Sequence, residues 1–394
     1  MREKHTRLAR CRMALDALVS VWRDELRAVF RDAGVLIFFF LVPFLYPLLY
    51  AFIYNNEVVR DAKLVVVDQS DSYLSREFAR RVDATPDVQV VATVGDMAVA
   101  KQLLDEKRAY GILLFPAEFS REVYSGRQAQ VSLYADMSAL LFYKSFLMAT
   151  TDVSLALGRE VRMQGNPSST EKVAEIKANP IPYESVVLFN PSNGFASFLV
   201  PGILMLVLQQ TLLLGIGMRM GTEWERHRHL LRQHTPFIRL VGKALAYLLL
   251  YIPVSLWVLV IVPRLFGLPQ VGDPVSIGLF LLPYLLAAIA MGLFVGGWMT
   301  SREEPMMVLV FTSVILIFIS GISWPLAAVP PVWRMVGCLF PSTPGIQGFI
   351  RLNTMGASLH QVSDAYLTLW TQAIVYLFLA YVVQRWKKSV KTPL

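Results

Sequence analysis

Three histidines, His227, His229 and His234, stand beside Glu223 and Glu225 in a stretch that also holds Arg226, Arg228 and Arg232. Imidazole and carboxylate groups are metal ligands. Two of the histidines, however, fall on one short helix with arginines alongside, so a solvated basic face explains them better and no metal is expected. Asp68, Asp71, Ser72 and Ser75 form a second cluster that could take a cation. Their position after a strand favours a structural role instead, with Asp71 or Ser72 capping the next helix. A nucleotide-phosphate loop is missing, because Gly242-Lys243 lacks both the upstream glycine and the following hydroxyl. His-Glu-x-x-His and Gly-x-Ser-x-Gly are missing too, so no residue is assigned a catalytic role and the chain is not expected to be an enzyme.

The elements that would position such groups are dominated by apolar segments. With 55% hydrophobic residues and 17% charged ones, the chain reads as an integral membrane protein. Uncharged intervals at 33–56, 185–218, 244–263, 274–301, 305–333 and 365–384 each reach the roughly 20 residues that cross a bilayer core. Six transmembrane helices are predicted, near 35–55, 195–218, 244–262, 275–299, 305–322 and 365–384. Pro43 and Pro47 predict a kink in the first.

Basic residues orient these spans. Arg219, Arg226, Arg228, Arg232, Arg239 and Lys243 face only two glutamates between the second and third spans, eight bases precede the first span, and four follow the last. The positive-inside rule therefore places both termini and this loop in the cytoplasm. Thr222 followed by Glu225 is a capping-box pattern, which predicts a short amphipathic helix over 222–235 ending near Pro236. Leu8, Cys11, Leu15, Leu18, Trp22, Leu26 and Val29 recur at helical spacing within residues 1–34, with arginines between them. Two readings of this amphipathic helix stand together: it lies along the inner leaflet, or it packs on protein.

Residues 56–190 read as one extracytoplasmic α/β domain. Strands are expected at Leu64–Asp68, Val88–Ala92, Tyr110–Phe115 and Gln130–Asp136, alternating with helices at 72–84, 96–108 and 117–124. A longer helix at about 138–163, a short one at 170–178 and a strand at 183–189 complete it. Near the C-terminus, Gly321, Pro325, Pro330, Pro331, Pro341 and Pro344 interrupt the apolar pattern. Two half-helices forming a re-entrant hairpin over 323–360 are expected there, because irregular backbone at membrane depth needs protein or a water-filled cavity around it.

The expected span cores contain no Asp, Glu, Lys, Arg or His, which argues against ion-coupled pumping and requires energy from outside the chain. Gln209, Gln210, Thr211, Thr312 and Ser313 either line a path or hydrogen-bond neighbouring helices. The net charge of +8 belongs to the membrane part, so no nucleic-acid partner is expected.

Val66-Val67-Asp68-Gln69-Ser70 with Leu74-Ser75-Arg76, Phe198-Leu199-Val200-Pro201-Gly202, Gly221-Thr222-Glu223 with Pro236 and Gly242-Lys243, and Ser320-Gly321-Ile322-Ser323-Trp324-Pro325 with Pro330 and Pro341 follow one another against six spans. In this order they resemble the permease subunits of type-2 ABC transporters, in the bacterial branch with a large extracytoplasmic domain between the first two spans. The resemblance implies an inner-membrane exporter, and an aromatic-rich apolar chain with no charge in its spans favours an amphipathic or hydrophobic substrate over a small ion. It also implies separate ABC ATPase subunits that bind ATP and Mg, leaving this chain without a cofactor. It makes 222–235 a coupling helix, with Thr222, Glu223, Trp224, Glu225 and Arg226 as ATPase-coupling residues. A second permease copy or paralogue, membrane lipid and a periplasmic adaptor protein are the further partners expected. Gln209, Gln210, Thr312, Ser313, Ser320 and Gly321 are the candidates for a translocation path or dimer seam. The alternative is an ATPase-coupled envelope signalling or mechanical protein that moves no substrate.

Overall fold

The structure, a computed structural model, describes residues 2–55, 59–138, 140–164, 188–190, 194–226 and 234–390. The helix expected at 170–178 lies outside them, as does the strand expected at 183–189 apart from Leu188 and Phe189, which form none. Contacts divide the chain into two compact units, Met1–Glu57 with Leu188–Leu394, and Val58–Val187.

The first unit begins with helix α1 (Arg2–Arg31), whose buried stripe is Val21, Glu25 and Val29, bordered by half-buried Leu18, Trp22 and Leu26. Asp32 ends it and caps α2 (Ala33–Leu36), accepting from the Gly34 and Val35 amides. A π-helical turn at Ile37–Leu41 leads into α3 (Val42–Ile53). The same device recurs where α9 (Pro236–Leu256) passes through a π-turn at Trp257–Ile261 into α10 (Val262–Leu265). Each π-turn ends immediately before a Val-Pro pair, Val42-Pro43 and Val262-Pro263. Proline lacks the donor that would continue the α-ladder, so the irregularity falls in the turn ahead of it. In the expected first span the irregularity falls ahead of Pro43, while Pro47 lies inside α3.

Helix α8 (Phe195–Arg226) is the centre of the unit, with buried residues along nearly its whole length. Around it lie α2, α3, α11 (Pro274–Trp298), α12 (Glu304–Ile319) and α14 (Ser342–Asn353). The last helix, α15 (Ser363–Val390), packs along α11. Close approach demands glycine at several of these contacts. A Cβ at Gly215 would lie 2.0 Å from the Phe39 ring, and one at Gly345 would lie 2.5 Å from Tyr284. Between α12 and α14 the chain breaks at Gly321, with φ of +86°, and at Pro330 and Pro341, leaving α13 (Pro331–Gly337) and α14 as two short helices.

Among the described residues six helices are long and apolar enough to cross a membrane. Their membership differs from the expected set. The helix found within the expected fifth span, α12, has 16 residues, about 24 Å of rise. The sixth qualifying helix instead belongs to the second unit, as Leu140–Met163. It qualifies by composition because one face covers a sheet while the other exposes Leu140, Leu147, Met148 and Leu155.

The second unit carries a four-stranded sheet in the order β2-β1-β3-β4, with β1 at Ala62–Asp68, β2 at Val88–Val94, β3 at Gly111–Phe115 and β4 at Ser132–Ala135. The first three strands are parallel and β4 is antiparallel to β3. Leu64, Val66, Leu113 and Phe115 face one core, with α4 (Tyr73–Asp83), α6 (Phe119–Tyr124) and α7 (Leu140–Gln164). Val65, Val67 and Ile112 face the other, with Ala100 of α5 (Met97–Asp105). This two-sided burial explains why β1 is a continuous apolar run. Ser72 caps α4 in a capping box with Ser75, and the Ser75 hydroxyl donates to Asp68 Oδ2 at 2.7 Å. The cluster that could have taken a cation is thus a helix cap, and no metal-binding group occurs among the described residues.

Candidate functional site

At one end of the first unit, three helices present charges at four-residue steps, the spacing that puts side chains on a single helix face. Helix α8 supplies Arg219 and Glu223, α9 supplies Arg239, Lys243 and Tyr247, and α1 supplies Glu25 between Val21 and Val29. All six side chains are buried.

Glu25 is the junction. Its Oε1 accepts from the Tyr247 hydroxyl at 2.5 Å and lies 3.3 Å from Arg219 Nε, while its Oε2 lies 3.5 Å from Lys243 Nζ. Lys243 also donates to Glu223, and Arg239 Nη2 donates to Gln384 Oε1 of α15 at 2.9 Å. Two carboxylates thus neutralise most of three cations in a site from which water is largely removed. Burying an unpaired charge costs several kcal/mol, so each member depends on the others.

Adjacent contacts extend the joint. Arg302, in the connection between α11 and α12, donates to Asp32 at 2.6 Å, which holds the elbow between α1 and α2. Gly221 lets the Ser301 backbone approach so closely that a Cβ would lie 2.2 Å from its oxygen. Lys387 of α15 sits 4.1 Å from the Trp224 ring centroid and donates to Met299 O at 3.2 Å.

This geometry corrects the helix start expected at Thr222. Residues 222–226 continue α8 without a break, and the Thr222 hydroxyl donates back to Met218 O at 2.9 Å, so it caps nothing. A helix already carried by the long span has no free first turn there to cap. Glu223 and Trp224 turn inward, whereas Glu225 and Arg226 are exposed. Positions 227–233, with His227 and His229, lie outside the described residues.

The candidate path positions also sort differently. Gln209 and Gln210 are buried within their own chain. The central place of α8 is the reason. Gln209 Nε2 donates to Ser342 Oγ at 3.2 Å, and Gln347 Nε2 donates to Ser320 O at 3.0 Å, so α14 bridges two of the expected positions. A Cβ on Gly321 would meet the same Gln347 amide at 2.4 Å. Thr312 and Ser313 bond carbonyls of their own helix, Leu309 O at 2.8 Å and Val310 O at 2.6 Å.

The sequence reading missed Glu25, Tyr247 and Gln384, treated Arg219 and Arg239 only as topological charge, and gave Lys243 no structural partner. A signal existed: a glutamate inside an apolar stripe, and acid and base at four-residue steps on the two helices flanking one loop.

Long apolar helices with a buried ionic joint at their ends define a multi-pass α-helical membrane protein. The chain belongs to the ABC-2 family of transporter proteins, whose family model, described as ABC-2 family transporter protein, matches residues 33–382. Comparison with curated proteins returns no match.

Proposed function

We propose that this chain is the permease subunit of an ATP-driven exporter, moving an amphipathic or hydrophobic substrate outward while separate ABC ATPase subunits hydrolyse ATP. The observation that carries this reading is the family match over residues 33–382, and the ionic joint at Glu25, Arg219, Glu223 and Lys243 supports its coupling part, because it ties the end of α8 and the start of α9 to the N-terminal helix. An ATPase pressing on the segment between them would move α1, α8 and α9 as one body. Glu225 and Arg226, exposed at the end of α8, are the contact residues of the coupling segment. Glu223 and Trp224 act behind them as positioning residues.

The basic termini and loop lie in the cytoplasm, residues 56–190 and 323–360 lie on the outer side, and the permease works as a pair, with a second copy or a paralogue. Lys/Arg asymmetry supports the orientation. Single cysteines at Ser125 and Gln233 test it, since they are expected to label from opposite sides of the membrane. Labelling from the same side would overturn it. Substrate-stimulated ATP hydrolysis in liposomes tests the transport reading, and stimulation by no amphipathic compound would sink it.

A further inference from the structure

We infer that the second unit holds a binding groove for an anionic amphiphile with a long alkyl chain. A cavity of about 1100 Å³ opens between α4, α6, β4 and α7. Phe78, Phe119, Val131 and Leu157 form its apolar wall. Leu147 and Leu155 stand on the α7 side with 43% and 56% of their surface exposed. Such surface in an α/β unit is costly unless something apolar covers it.

Three observations select the occupant. Among the described lining residues are two arginines, Arg127 and Arg162, and no carboxylate, so the electrostatic match is a negative head group. The Thr150 hydroxyl on the same wall is buried without a hydrogen-bond partner among the described residues, leaving a polar atom for a ligand to satisfy. Gly158 also lines the groove, and a Cβ there would meet no atom of the described residues within 4 Å outside its own stretch of helix, so these residues leave space open beside α7. Few convergent polar groups on apolar walls suit a molecule with one charged end and a hydrocarbon body.

The test photolabels the full-length chain in nanodiscs, without ATP, using diazirine-bearing palmitic acid and the matching palmityl alcohol. Since no transport step is involved, its result stands apart from the permease reading. The acid is expected to label peptides of α6, β4 and α7. Gly158→Phe fills the groove from a helical position where glycine is the weaker helix former, so the variant should fold. It should cut labelling by about fivefold or more, the loss of about 1 kcal/mol of binding. Arg127→Gln with Arg162→Gln should cut acid labelling by about fivefold or more, and leave alcohol labelling unchanged. Equal labelling by acid and alcohol, or labelling unaffected by Gly158→Phe, would overturn the assignment. So would a photoreactive residue at Leu147 that links only to residues 165–187 of the same chain.

Discussion

The Tyr247 hydroxyl donates to the Glu25 carboxylate at 2.5 Å, joining positions 222 residues apart and fixing the N-terminal helix to the third long apolar helix of the membrane unit. Replacing Glu25 by alanine leaves Arg219 and Lys243 with one buried carboxylate fewer. A loss of about 3–5 kcal/mol is expected from breaking such a buried network. Thermal unfolding of the detergent-solubilised chain measures it, and Glu25→Gln should retain part of the loss-prone contact through Tyr247. An unchanged unfolding temperature in Glu25→Ala would show that the charges are not dependent on one another.

Glu223 and Lys243 form the other half of the joint. Glu223→Leu or Lys243→Met alone should destabilise strongly, whereas the double variant should be milder than the sum by roughly 0.5–3 kcal/mol. A double-mutant cycle on unfolding free energy reads this directly. Additive losses would mean that the two side chains act independently.

Gly215 lies against Phe39 so closely that an alanine methyl must displace the ring. Gly215→Ala should cost about 1–3 kcal/mol by overpacking. Phe39→Leu in the same chain should recover part of that cost, although Phe39 also packs edge-on against Tyr247 and Tyr251. Absence of recovery would place the strain elsewhere.

In the second unit, Arg80 and then Arg81 donate to Glu77, and together they hold its carboxyl down at about 2, against an ordinary value of 4.5. Arg81 also binds Glu160 through two hydrogen bonds of 2.7 and 2.9 Å, linking α4 to α7 and lowering that carboxyl as well. A depressed folded value means stability that is fully present above pH 4.5 and is lost as pH falls toward about 2. Arg81→Gln should weaken the unit at neutral pH and flatten this acid dependence. Proteolytic susceptibility of the full chain across that range is the measurement; an acid profile as steep as the wild type would exclude the link.

Much of the fold was legible because its signals are local. The apolar runs, the alternating strands and helices from Leu64 to Asp136, and the proline breaks around Pro330 and Pro341 each follow from neighbouring residues. The joint was not legible in that way. Glu25 and Tyr247 meet only through tertiary packing, and Arg219, Glu223, Arg239 and Lys243 belong to a stretch with the composition of a solvated loop until α8 and α9 are seen to carry these four inward. Thr222 and Glu225 matched a capping pattern that a continuing helix overrides. Likewise, the apolar character of Leu140–Gln164 gives no sign of whether lipid or a sheet covers it.

ATP hydrolysis in liposomes by the full-length chain together with the ATPase that copurifies with it tests the coupling role of the ionic joint most directly. Expected is hydrolysis that rises with an amphipathic transported compound in the wild type. In Glu25→Gln the ATPase should stay bound and the basal rate should persist, but the compound should no longer stimulate it. Full stimulation in Glu25→Gln, or the absence of any copurifying ATPase, would contradict it.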